Sequence, residues 1–391
     1  MAKIELINVS KRFGKTTALK NVTLEIQDKE FFVLFGPAGA GKTTILNNIA
    51  GIQIPEEGMV RIGDEVVNQV DPADRNVAMV FENYALYPHM TVYDNIASPL
   101  RSPRYKKFKD NKAQNEAYIK EAVHKVAAMM KIDKLLERLP SQLSNGQRQR
   151  VALGRALVRE PNVFLMDEPL AHLDAKLRNA MRSELKEMQT AFGTTSIYVT
   201  HDFMEAMSLA NRIAVINLGE IIQVGTSDEI YYMPRNEFVA QLMGDPEINL
   251  LECTLVREDG SSLCWAECPE QLIPMPKHEE LEERTEGMEQ IHVGLRPQNV
   301  HYHFEKVPGA FTGNVYSFET IGNKSVLTVQ VGDQHLRVIA PNGLPVKLDQ
   351  EIFVTMEIDR AIFFDAGTTE YIGRFDEAAV KELVAEQAKE A

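Results

Sequence analysis

The chain has 391 residues, 44% of them hydrophobic and 25% charged, with a formal net charge of −14. That length exceeds one ordinary core and fits two domains, and the composition is that of a globular chain. The acidic balance disfavours nucleic-acid backbone or anionic lipid as the main partner, and no run approaches the roughly 20 apolar residues of a membrane span.

The opening MAKIELINVSKRFG alternates polar and apolar residues where a signal peptide needs a continuous apolar stretch, so a soluble, cytoplasmic chain is expected. Three cysteines, Cys253, Cys264 and Cys268, are too few and wrongly spaced for a zinc site or a disulfide framework, and read as packing residues.

Up to about residue 244, short apolar strands at 31–36, 76–81, 162–167 and 195–200 alternate with helical periods. A parallel sheet with crossover helices requires this alternation, so the first part is α/β. The first of these strands, FFVLF, runs into GPAGAGKTT, which satisfies G-x-x-x-x-G-K-[ST] in the strand-loop-helix setting the motif needs. Gly36, Gly39 and Gly41, with Pro37, Ala38 and Ala40 between them, let the backbone wrap so that N–H groups at a helix start point at phosphate oxygens. Lys42 is then placed for the β- and γ-phosphates of ATP, Thr43 offers its hydroxyl to Mg²⁺, and Thr44 carries the motif into the helix.

Strand 76–81 leads to Glu82 and to the aromatic, proline-broken run NYALYPHMTVYDNIASPL at 83–100, whose Thr91-x-x-Asp94 resembles a capping box. So many exposed aromatic and apolar residues suggest a binding surface. Residues 107–139 read as almost continuous helix, part of a helical lobe spanning about 92–160. Strand 162–167 ends in Asp167 and Glu168 at the carboxyl edge of the sheet, where ligands of open α/β sheets collect. Behind a P-loop, this pair reads as a Mg²⁺ ligand (Asp167) and a general base for the attacking water (Glu168).

The run LSNGQRQRVALGRALV at 143–158 resembles the LSGGQ signature and following helix of ATP-binding-cassette (ABC) transporter ATPases. By that resemblance Ser144, Asn145, Gly146 and Gln147 open a helix that faces the γ-phosphate of ATP held by the other subunit of a dimer. LAHLD at 170–174 resembles the family's D-loop, with Asp174 at the dimer contact. YVTHD at 198–202 resembles its switch segment, with His201 touching the γ-phosphate. Phe13 stands where the family carries an aromatic that stacks on adenine, and region 83–100 stands where a transmembrane permease subunit docks.

Two positions depart from the family pattern. Glu82 replaces a glutamine that reaches Mg²⁺ and the attacking water. The carboxylate is a better metal ligand but adds charge beside Glu168, so a raised pKa on Glu82 or Glu168 is expected. Asn145 replaces the signature's first glycine, and asparagine's tolerance of left-handed backbone is expected to preserve the loop.

GDPEINL at 244–250 marks the expected boundary between a domain 1–244 and a domain 245–391. Beyond it the helical signal vanishes, and pieces at 291–295, 313–320, 325–332, 335–341 and 351–359 suggest a small β-barrel or a pair of them, followed by an acidic terminal helix. VGLRPQNV, FETIGNKSVLTVQVG and EIFVTMEIDRAIFFD resemble the oligonucleotide-binding-fold regulatory domain of importer ATPases for sugars and related solutes. The resemblance implies an ATP-hydrolysing subunit on the cytoplasmic face of the plasma membrane, bound to permease subunits and indirectly served by an extracytoplasmic solute-binding protein. A homodimer is favoured over pairing with a different ATPase. The alternatives are a catalytically weak ATP-binding subunit paired with an active ATPase, and a soluble repair or translation ATPase, which the single cassette disfavours.

Overall fold

The computed structural model describes residues 2–105, 108, 111–257, 261–322 and 324–390. The chain divides into two compact units, Met1–Val224 and Gly225–Ala391.

In the first unit a six-stranded sheet runs in the order Glu220–Gly225, Arg212–Asn217, Phe31–Phe35, Thr195–Thr200, Val163–Asp167, Val77–Val80. Strands 31–35, 163–167 and 195–200 are buried at every position, which is why their sequences are continuous apolar runs and do not alternate. Neighbours among the last four strands pair in parallel, with Phe35 beside Thr200, Asp167 beside Val199 and Val80 beside Met166. Their carboxyl ends therefore line one edge of the sheet.

A second, antiparallel sheet joins Thr16–Ile26, Ile4–Phe13, Glu57–Ile62 and Glu65–Val66, and its Ile4, Leu6, Leu24 and Ile26 share a core with Leu34, Ile45 and Val199. Helices Val92–Arg101, Lys112–Met129 and Asn145–Leu157 pack together as the helical lobe. The helix expected over 107–139 is shorter; positions 106, 107, 109 and 110 lie outside the described residues. It stops at Met129 because Lys131 takes a left-handed φ of 57°, and the N–H groups of Lys131 and Ile132 fold back onto the carbonyls of Ala128 and Ala127 at 3.0 and 2.9 Å.

The second unit holds two antiparallel sheets. One runs Leu272–Pro274, Ser262–Trp265, Asn249–Val256, Gln290–Leu295, Ile362–Asp365, Tyr371–Arg374; the other runs Val300–His303, Glu351–Met356, Phe311–Ile321, Lys324–Val331, Gln334–Ala340. They share one core, in which Trp265 meets Phe311 edge-on with ring centres 5.2 Å apart. A short helix, Glu279–Arg284, interrupts the β pattern, and the terminal helix spans Glu377–Glu390.

The division falls earlier than GDPEINL. Helices Ser227–Tyr232 and Glu237–Leu242 belong to the second unit because the buried Arg296 guanidinium donates to the carbonyls of Tyr231, Ala240 and Met243 at 2.7, 2.8 and 2.6 Å. Burial pulls that guanidinium down to about 10, so these carbonyl dipoles and the Tyr231 ring, 4.1 Å away, are what keep a cation tolerable there. Arg296→Met is expected to destabilise the second unit by about 2–4 kcal/mol, since it leaves three carbonyls without their donor. Trp265, the chain's single tryptophan, is fully buried in that unit, so its fluorescence during urea unfolding reads the change; an unchanged midpoint would refute the role.

Candidate functional site

The loop after strand 31–35 approaches its neighbours closely. A Cβ added at Gly36 would lie 2.2 Å from the Ile216 carbonyl oxygen, and one at Gly41, where φ is 110°, would lie 2.7 Å from that of Ala18. Ala40 is buried and its carbonyl accepts from Gly219 N–H at 2.9 Å, while Pro37 is half-buried and Ala38 and Gly39 face outward. Lys42 opens helix Lys42–Ala50 and is itself buried; its Nζ donates to the carbonyls of Gly36 and Pro37 at 2.8 and 2.9 Å. Burial lowers the lysine pKa, against the pull of Glu168 and Asp167. Its ammonium, 4.0 Å from Glu168 Oε1, is thus stored inside the loop beside both acids. Thr43 Oγ1 donates to Asp167 Oδ1 at 3.0 Å, and Thr44 follows within the helix, its carbonyl accepting from Asn48 Nδ2 at 2.7 Å.

Asp167 is 8% exposed, and its pKa is raised chiefly by burial, with repulsion from Glu168 and Glu82 added and the Thr43 bond opposing. Glu168 sits just past the strand at a φ of 44°, unusual for a residue with a side chain, and its N–H donates to Val199 O at 3.1 Å. This turn aims the carboxylate out of the sheet edge, where Oε2 meets His201 Nδ1 at 3.0 Å. His201 is placed by what surrounds it. Thr200 Oγ1 accepts from Asp202 N–H at 2.9 Å and donates to buried Glu205 at 2.6 Å, and Asp202 caps the helix Phe203–Leu209.

Glu82 lies at the same edge but is exposed, its Oε1 3.7 Å from His172 Nε2. Its charge reaches Asp167, yet its closest ionic partner is the histidine. Ser144 and Gln147 form a reciprocal capping box on helix Asn145–Leu157, and Gly146 lies against Leu177. Asn145 is the first residue of this helix and is absent from the left-handed residues among those described, so the tolerance expected of it is not used; its side chain instead donates to His172 O at 3.3 Å. Asp174 caps the helix Ala175–Phe192 by accepting from Leu177 N–H at 2.9 Å. Phe13 ends its strand 46% exposed with Lys11 Nζ 5.6 Å from its ring centre, so it is not a core residue.

The segment after Glu82 is tied down from two sides. Buried Asn95 receives Tyr87 N–H and donates to the carbonyls of Tyr87, Met90 and Thr91. Arg155, on the signature helix, donates to the carbonyls of Ala85 and Tyr84 at 2.8 and 3.0 Å. Thr91 caps the helix Val92–Arg101 as its spacing predicted. Beside it a cavity of about 390 Å³ is lined by Val77, Met79, Tyr87, Pro99, Arg155 and Arg159, among others. Sequence reasoning singled out none of His172, Asn95 or Arg155. The histidine of LAHLD was in view, but its partners lie far away in sequence.

Among the described residues no group of three or more His, Cys, Asp or Glu side chains could hold a metal unaided. A hydroxyl and a carboxylate 3.0 Å apart at a phosphate loop nevertheless suit Mg²⁺, which takes one or two protein oxygens and completes its shell with water and substrate phosphates.

A phosphate loop, an acidic strand end and a histidine gathered at one edge of a parallel sheet, with a signature helix beside them, define an ATP-binding cassette. A profile of the ABC transporter family matches residues 19–171, and a profile of the TOBE domain matches residues 293–364. The chain is 40% identical to an uncharacterized ABC transporter ATP-binding protein of Bacillus subtilis, over 95% of this chain and all of that one. It is 42% identical to the trehalose/maltose import ATP-binding protein MalK of Thermococcus litoralis, over 94% of this chain and 99% of that one. It is 52% identical to the sn-glycerol-3-phosphate import ATP-binding protein UgpC of Brucella abortus, over 64% and 70%. A dimeric bacterial ABC transporter cassette matches with a TM-score of 0.51 at 33% identity, over 57% of this chain and 98% of that one. The chain belongs to the ATP-binding subunits of ABC transporters.

The raised pKa of Asp167 carries a stability cost with a definite sign. Between the unfolded value of 3.8 and the higher folded value the native state holds more protons, so stability falls as pH rises through that window and the full cost persists above it. Without nucleotide or divalent cation, Asp167→Asn is expected to melt higher than the parent at pH 7, with the difference shrinking as pH falls towards 3.8. A constant difference across that range would contradict the assignment.

Proposed function

We propose that this chain is the ATP-hydrolysing subunit of an importer for a sugar, polyol or related solute, working as a homodimer on permease subunits at the cytoplasmic face of the plasma membrane. The observation that carries the hydrolytic reading is the Glu168–His201 contact, 3.0 Å long, beside the Thr43–Asp167 pair. The relatives whose names include trehalose/maltose and sn-glycerol-3-phosphate import support the solute class.

In this reading Lys42 exchanges its two carbonyl acceptors for β- and γ-phosphate oxygens, which satisfy its charge better. Mg²⁺, held by Thr43 and Asp167 with Glu82 as a further ligand, would neutralise charge developing on the phosphates. Glu168 orients the attacking water and takes its proton on Oε1, because Oε2 is engaged by His201. His201 meets Glu168 through Nδ1, and its side chain, 60% exposed, would present Nε2 to the γ-phosphate. Phe13 offers an uncovered ring to adenine, and loop residues Gly36–Thr44 wrap the phosphates.

Ser144, Asn145, Gly146 and Gln147 would face the ATP bound by the second copy, with Asp174 at the contact between copies. The positive end of a helix dipole suits that anion. Region 83–100, with exposed Tyr87 and the neighbouring cavity, would receive a permease segment, and no nucleic-acid partner is assigned.

Glu168→Gln is expected to lower ATP turnover by roughly two to four orders of magnitude while ATP binding survives, as removal of a positioned base does. An unaltered rate would sink the assignment and favour the weakly catalytic alternative. Lys42→Ala should instead weaken ATP binding itself, measured by calorimetry. Native mass measurement of the assembled transporter checks the homodimer: two copies of this chain support it, and one copy beside a second ATPase overturns it.

A further inference from the structure

Glu82 and Asn145, the two residues that depart from the family pattern, meet on one residue that neither the motifs nor the comparisons assign. His172 points Nε2 at Glu82 Oε1, 3.7 Å away, and its carbonyl accepts from Asn145 Nδ2 at 3.3 Å. Tyr84, buried two residues beyond Glu82, sets its ring edge-on to the imidazole with centres 6.2 Å apart. Leu170 and Leu173, both buried, anchor the segment on either side, and Leu173 N–H donates to Leu170 O at 3.2 Å. The imidazole is therefore held by its main chain on one side and faced by an aromatic edge on another.

Three carboxylates converge at this edge of the sheet, and each has its own polar neighbour. Asp167 has the Thr43 hydroxyl and Glu168 has His201, both at 3.0 Å, and Glu82 has His172. An amide in place of Glu82 would bring no charge and would need no such partner. Without a partner, the Glu82 carboxylate would be driven off by repulsion from Asp167, the same repulsion that adds to burial in raising the Asp167 pKa.

We propose that His172 is a positioning residue for ATP hydrolysis, which holds the Glu82 carboxylate beside the Thr43–Asp167 pair against that repulsion, while Asn145 fixes the main chain that carries the imidazole. The proposal rests on the reading of Asp167 and Glu82 as parts of an ATPase site. It makes the histidine the answer to the carboxylate, so the two are coupled. Water competes at side chains 51% and 56% exposed, and the effect is correspondingly modest.

A double-mutant cycle on the full chain tests it. His172→Ala should lower kcat about 2- to 5-fold with KM for ATP within about twofold, and His172→Gln, which can still donate to the carboxylate, should recover most of the loss. In a Glu82→Gln background the same His172→Ala change should alter kcat by less than about 1.5-fold. Matching melting temperatures across the set separate positioning from misfolding, and if His172→Ala does not fold, His172→Gln compared in the two backgrounds carries the test. Equal fold-changes in both backgrounds, no change in either, or no recovery with His172→Gln overturns the proposal while leaving the ATPase reading intact. A parent chain that does not hydrolyse ATP overturns both.

Discussion

The parallel register of four strands is the constraint from which the candidate site follows. Phe35 lies beside Thr200, Asp167 beside Val199 and Val80 beside Met166, so the segments that follow these residues must leave the sheet along one edge. The phosphate loop, His201, the acidic pair and Glu82 are those segments. None of the four is near another in sequence. Burial of strands 31–35, 163–167 and 195–200 on both faces locks the register, since sliding any of them would break hydrogen bonds that no water could replace.

That edge holds more negative charge than its cations neutralise at close range. Lys42 is bonded to carbonyls and stands 4.0 Å from Glu168, and two histidines attend Glu168 and Glu82. Asp167, buried among these charges, is costly to keep ionised. Glu168 adds backbone in a left-handed conformation that carries its own penalty. Such concessions are expected where chemistry, and not stability, has selected the residues. The surrounding sheet and its apolar core offset them.

Much of this was legible in the sequence. The central strands could be read because burial on both faces leaves unbroken apolar runs, and the phosphate loop because its backbone demands glycine at fixed spacing. The strands Ile4–Phe13 and Thr16–Ile26 were harder. Asn8 and Asn21 take φ values of 53° and 48° where the pairing shifts, which breaks the two-residue alternation. The domain boundary was misplaced because the decisive contacts, Arg296 to Ala240 and Met243, span more than fifty residues and leave no local trace. Asn145 was expected to use its tolerance of left-handed backbone and instead stands in the helix with its amide on the His172 carbonyl. His172 stands within LAHLD, but its neighbours Glu82 and Asn145 are brought to it only by the fold.

Arg155 grips the segment after Glu82 by main-chain carbonyls, those of Tyr84 and Ala85, and its guanidinium also lies over the Tyr87 ring, 5.2 Å from its centre. The two carbonyl bonds are indifferent to which side chains stand at 84 and 85, whereas the contact at 87 asks for a ring. One arginine thus fastens a short stretch to the signature helix with bonds of two kinds, and a substitution at 85 would leave both in place while one at 87 would remove the second.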